Sequence, residues 1–113
     1  PETRHIIGEA ELNAMRSTAR LINIGRGRLV DEEALIRALE KKVIAGAGLD
    51  VTYIEPLPKE SPLWRFENVI LSPHISGSRE DYVLHATALF CENLRRYLDG
   101  MRLLNVVDRK RGY

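Results

Sequence analysis

The chain has 113 residues, enough for one domain with a modest core, and its 17 basic and 16 acidic side chains leave a formal charge of +1. Hydrophobic residues make up 44% of it, which argues for a folded globular chain and against disorder. The basic residues at Arg95-Arg96 and Asp108-Arg109-Lys110-Arg111 have no aromatic interleaving, so no nucleic-acid partner is expected. No apolar run approaches the roughly 18 residues of a membrane span, so no membrane partner is expected either. The single Cys91 cannot form an intrachain disulfide, which suits a reducing, cytoplasmic compartment. The opening Pro1-Glu2-Thr3-Arg4 has neither an initiator Met nor a signal-peptide layout and reads as the start of a piece of a longer chain.

Gly8 to Arg16 reads as a short helix with Leu12 and Met15 on one side. Arg20-Leu21-Ile22-Asn23 is a short apolar run that stops at Gly25 and Gly27, which suits a buried strand running into a tight turn that exposes Arg26. Asp31 is placed to cap a helix. Glu32 and Glu33 suit its positive end, Leu35 and Leu39 are spaced i to i+4, and Lys41-Lys42 suit its close. Val43 to Val51 repeats the strand layout, with Ala45-Gly46-Ala47-Gly48 permitting close packing and Leu49 and Val51 flanking Asp50. Thr52 to Arg65 holds Pro56, Pro58 and Pro62, each pushing its predecessor into an extended conformation, and is expected to be a stiff loop over the sheet edge. Asn68 to Leu71 reads as a third strand stopped by Pro73. Tyr82, Ala86, Leu89, Phe90, Asn93 and Tyr97 then recur at helical spacing up to Gly100, and this last helix is expected to cover one sheet face.

The fold class is therefore α/β: about three parallel strands with flanking helices. Three of the strand ends lead to titratable or charged side chains, namely Arg26, Glu55 and His74, and the carboxyl ends of parallel strands are where such sheets hold ligands. An arginine, a histidine and a carboxylate converging there would supply a cation for an anionic substrate group, a proton carrier and a group that keeps the carrier charged. Arg26 offers a planar fork that matches a carboxylate. His74 can hold or release a proton near neutrality, and Glu55 would stabilise its charged form. Taken singly, each has a plainer structural explanation: a surface arginine in a glycine turn, a histidine at a strand end, a loop carboxylate before proline. Asp50 could equally cap a turn. Gly25-Arg26-Gly27 and Gly46-Ala47-Gly48 are not the G-x-G-x-x-G dinucleotide fingerprint. No Cys/His cluster has metal-ligand spacing, and His5 and His85 are isolated, so no metal is expected.

The segments Asn23-Ile24-Gly25-Arg26-Gly27, Gly48-Leu49-Asp50-Val51 with Glu55-Pro56, and Ser72-Pro73-His74 resemble the D-isomer-specific 2-hydroxyacid dehydrogenases, in order and in spacing. The resemblance runs from Pro1 to Val106-Val107-Asp108. It implies the C-terminal half of a Rossmann-like, doubly wound sheet with a C-terminal helix, lacking the glycine-rich half and the substrate domain. It implies a catalytic set of Arg26, Glu55 and His74 in an oxidoreductase acting between NAD or NADP and a 2-keto or D-2-hydroxy acid. Ile24, Gly25 and Arg26 are implied beside the nicotinamide, Asp50 as acceptor for its carboxamide, and His74, Ser76 and Gly77 along the cofactor. Ser76-Gly77 stands where many relatives have Ala-Gly or Gly-Gly. In relatives the residue that separates NAD from NADP lies upstream, so that choice stays open. Relatives with the same fold include dinucleotide-sensing corepressors, which makes a non-catalytic binding module the alternative. The chain alone is expected to be inactive and to form a homodimer.

Overall fold

A computed structural model describes residues 3–112 of the chain. The elements run α1 (Glu9–Ala14), β1 (Arg20–Asn23), a 3-10 turn (Gly27–Leu29), α2 (Glu32–Glu40), β2 (Gly46–Leu49), a second 3-10 turn (Pro62–Arg65), β3 (Val69–Leu71) and α3 (Tyr82–Leu98). They fall into two compact units, Pro1–Gly77 and Ser78–Tyr113.

In the first unit the strands make one parallel sheet in the order β1-β2-β3. This is the α/β, Rossmann-like half sheet anticipated from the strand–helix alternation. Gly46 of β2 is required by packing, since a Cβ there would strike the Asn68 carbonyl, while one on Gly48 would press on the movable end of Ile22 at 3.0 Å. β2 is shorter than Val43 to Val51. The Val43 amide instead donates to the Ala38 carbonyl at the end of α2 (2.8 Å), and Ala45 donates to Ala19 (2.8 Å). The proline-rich segment after β2 is also less uniform than expected, since Pro62 opens a 3-10 turn that buries Leu63.

α2 begins where Asp31 accepts a hydrogen bond from the Ala34 amide (3.0 Å) and buries Ala34, Leu35, Ala38 and Leu39 against the sheet. Leu12 of α1, Leu35, Ile44 and Leu63 are each 1% exposed and anchor the core. Burying each such side chain stabilises the fold by about 1.5–3 kcal/mol. Leu21, Ala47, Leu49, Val69 and Leu71 face this core. The alternate row is different. Ile22, Gly48 and Ile70 stand in register across the sheet, and Ile22 and Ile70 are 65% and 76% exposed.

The second unit is built on α3. Arg95 and Arg96 donate to Glu92 at 2.9 and 2.6 Å, and Asn93 exchanges two hydrogen bonds with the Leu104 backbone, folding the following segment back along the helix. No residue of α3 is buried. Within this unit Leu84, Phe90 and Leu98 of α3 are all exposed. Among the described residues no helix is long and apolar enough to cross a membrane.

Candidate active site

The segments leaving the three strands carry the polar chemistry of the first unit, and each is fixed by a different device. After β1, the buried Asn23 braces its own turn: its Oδ1 accepts from the Gly25 amide (3.1 Å) and its Nδ2 donates to the Arg26 carbonyl (3.0 Å). Arg26 is left exposed, with one guanidinium nitrogen donating to the Gly25 carbonyl (2.7 Å). Gly27 is where this turn meets the segment after β2. A Cβ there would collide with the carbonyl of Thr52, so only glycine allows the two backbones to approach.

After β2, the chain turns through Thr52 to Glu55, followed by a cis peptide bond to Pro56. The Thr52 amide donates to Glu55 Oε1 (3.2 Å), the Thr52 hydroxyl to the Ile54 carbonyl (2.8 Å), and the Tyr53 amide to Glu32 of α2 (2.8 Å). After β3, His74 places Nδ1 2.7 Å from Glu55 Oε2. The hydrogen bond from His74, aided by the Thr52 amide and the charges of His74 and Arg26, holds the Glu55 carboxyl below its ordinary value of 4.5. With Nδ1 committed to Glu55, Nε2 is the nitrogen free to give or take a proton.

Glu55 belongs to the walls of two neighbouring cavities. One, of about 420 Å³, is also lined by Arg26 and Thr52, and the other, of about 650 Å³, by Asp50, Trp64, Ser72 and His74. Of the residues singled out from the sequence, His74 and Glu55 are therefore in direct contact. Arg26 shares a cavity wall with Glu55 and makes no hydrogen bond to either. Asp50, buried at the end of β2, reaches Ser76 through the Ser76 amide (2.8 Å). Ile24 is 64% exposed, and nothing would lie within 4 Å of a Cβ on Gly77. Sequence reasoning passed over Asn23 as a brace, Ser72 as a partner of Asp50 (2.6 Å), and Gly27 as an obligatory close approach. For Asn23 a signal was present, since a buried polar residue at the end of a strand needs partners.

Residues 1–76 match the model of the D-isomer specific 2-hydroxyacid dehydrogenase, NAD binding domain. The chain belongs to this family. It is 44% identical over 109 residues to a glyoxylate reductase of Aeropyrum pernix, covering 96% of this chain and 32% of that protein. It is 48% identical over 107 residues to a glyoxylate/hydroxypyruvate reductase B of Pectobacterium carotovorum, covering 95% and 33%. Among solved structures it superposes, with a TM-score of 0.91 and 43% identity, on a D-isomer specific 2-hydroxyacid dehydrogenase from Xanthobacter autotrophicus in complex with NADPH and MES, covering all of this chain and 46% of that one. The chain thus spans about a third of the length of the curated relatives it matches.

Proposed function

We propose that this chain supplies the catalytic groups of an oxidoreductase that interconverts a 2-keto acid and a D-2-hydroxy acid with NAD or NADP. The observation that carries the reading is the 2.7 Å His74–Glu55 pair at the carboxyl ends of parallel strands, with Arg26 on the wall of a cavity that Glu55 also lines. The cofactor, when bound, supplies or removes the hydride. Arg26 binds the substrate carboxylate with its planar fork and draws electron density from the keto oxygen. His74 delivers the Nε2 proton to that oxygen in reduction and removes it in oxidation, and Glu55 stabilises the imidazolium between turns.

The residues fit a nicotinamide group. Ile24 and Ile75, on the segments leaving β1 and β3, are 64% and 53% exposed and offer apolar surface to a flat ring. Asp50, which receives three hydrogen bonds on its carboxylate, stands between these segments as the acceptor assigned to a carboxamide. The backbone of Ile24, Gly25 and Arg26 and that of His74, Ser76 and Gly77 would complete the contact. NADPH in the Xanthobacter relative supports a nicotinamide dinucleotide as the cofactor. The chain has no glycine-rich phosphate cradle, so calorimetric titration of the chain alone with NADH or NADPH is expected to give only very weak binding; submicromolar affinity would overturn that expectation.

The test of function is a chimera in which this chain replaces the matching segment of the Aeropyrum pernix glyoxylate reductase. Reduction of glyoxylate by the chimera, lost on His74→Gln, supports the proposal. A chimera that folds and binds cofactor but reduces no keto acid would favour a non-catalytic dinucleotide-binding module. We further propose a two-fold homodimer that covers apolar surface such as the Ile22–Ile70 row. Light scattering that returned the monomer mass of 12.9 kDa would count against it.

A further inference from the structure

The turn that presents His74 converges on a single residue. The Asp50 carbonyl accepts from the His74 amide (2.8 Å), Oδ1 accepts from the Ser72 hydroxyl (2.6 Å) and the Ile75 amide (2.9 Å), and Oδ2 accepts from the Ser76 amide (2.8 Å). Four donors from a five-residue stretch therefore end on one residue that is itself only 4% exposed. Within that stretch His74 has φ = 55°, a left-handed conformation that a non-glycine side chain adopts at a cost and that persists where its surroundings over-determine it.

We propose that Asp50 is a positioning residue for His74. Its carboxylate, with Ser72 as the linked donor, locks the Ser72–Ser76 turn so that His74 is held in the left-handed conformation with Nδ1 on Glu55. The significance for catalysis rests on the reading of His74 as the proton carrier; the clamp itself rests only on the geometry. A carboxylate is needed rather than an amide, because all three groups reaching it donate and none accepts. An asparagine would turn an NH2 group towards an N–H or O–H donor and forfeit at least one bond. An ordinary capped turn would need one oxygen and one amide, whereas here both oxygens and the backbone carbonyl are used.

The experiment is amide hydrogen exchange by NMR on the chain, comparing the parent with Asp50→Asn and the milder Ser72→Ala. In Asp50→Asn, exchange at Ile75 or Ser76 should speed up by about tenfold or more, as expected for loss of a charge-assisted hydrogen bond. The His74 backbone shifts should leave their left-handed values, while the core amides of Leu35 and Leu39 exchange as before. Ser72→Ala should move the same probes in the same direction by less, and it decides the matter if Asp50→Asn fails to fold. In the chimera, Asp50→Asn should lower kcat with little change in KM for glyoxylate. Unchanged exchange at Ile75 and Ser76 would overturn the proposal, and so would a uniform rise that includes Leu35 and Leu39, since Asp50 would then serve only overall stability. If His74→Gln left the chimera fully active, the functional reading would fail while the exchange data still reported on the clamp.

Discussion

Among the described residues, two histidine–carboxylate pairs are of nearly equal length and opposite origin. His74 Nδ1 lies 2.7 Å from Glu55, 19 positions earlier; His85 Nε2 lies 2.9 Å from Asp81, one helical turn earlier. The second pair is local. It forms at the start of α3 because i and i+4 side chains are neighbours on any helix, and Asp81 is held below its ordinary value chiefly by Arg79, with His85 a lesser partner. The first pair exists only because two strand-end segments are brought together, and for Glu55 the His74 hydrogen bond is the leading cause of its lowered pKa. The same contrast runs through the two units: one carries a buried core and braced turns, while the other is a helix with no buried residue, tied by ion pairs on its surface. Similar contact distances thus say little about role. What distinguishes the pairs is how much of the fold is needed to make them.

The sharpest way to break this comparison is to remove each imidazole in the chimera. His74→Gln should reduce turnover by about 10²–10⁴-fold, and His85→Gln should leave it unchanged. Steady-state kinetics that showed equal losses would erase the distinction. Arg26→Ala should cost turnover on a similar scale through lost charge stabilisation, with the fold intact by circular dichroism.

Stability offers the next contrast. Leu35→Ala, in the core, should destabilise by about 2–5 kcal/mol, whereas Leu84→Ala, on the exposed side of α3, should stay within about 0.5 kcal/mol in chemical denaturation. Gly27→Ala should cost about 1–3 kcal/mol, because a methyl group there meets the Thr52 carbonyl and must force the Arg26 turn and the Glu55 segment apart. A Gly27→Ala chain as stable as the parent would show that the close approach is not required.

The smallest effect expected is in pH dependence. A carboxyl whose pKa is lowered on folding contributes stability that is present above its ordinary value, 4.5 for Glu55, and is lost as pH falls through the lowered one. Glu55→Gln should therefore flatten the loss of stability in acid, as followed by thermal melts below about pH 4.5. In the chimera the same change should lower turnover, because His74 Nδ1 loses the carboxylate that holds it at 2.7 Å. Turnover equal to the parent's would remove Glu55 from its role.

Local signals were enough to identify the elements. The Asp31 cap, the Leu35/Leu39 spacing and the apolar run of Arg20 to Asn23 each report a short-range preference, and α2 and β1 formed where those preferences lie. The types of the three site residues, and their places after strands, were legible for the same reason. Contacts that depend on the path of the chain between elements were not. The brace of Asn23 on its own turn, the four bonds gathered by Asp50 and the glycine contact between the Gly27 and Thr52 backbones have no periodic signature. Periodicity located α3 at Tyr82–Leu98, but an apolar stripe reports only that a helix has a face to bury, not what buries it. By itself the sequence determined which residues stand as candidates for the proposed chemistry, because residue type and strand-end position are local facts. Only the tertiary structure decided that His74 would meet Glu55, held by a turn anchored on Asp50, because that meeting depends on the parallel register of three strands.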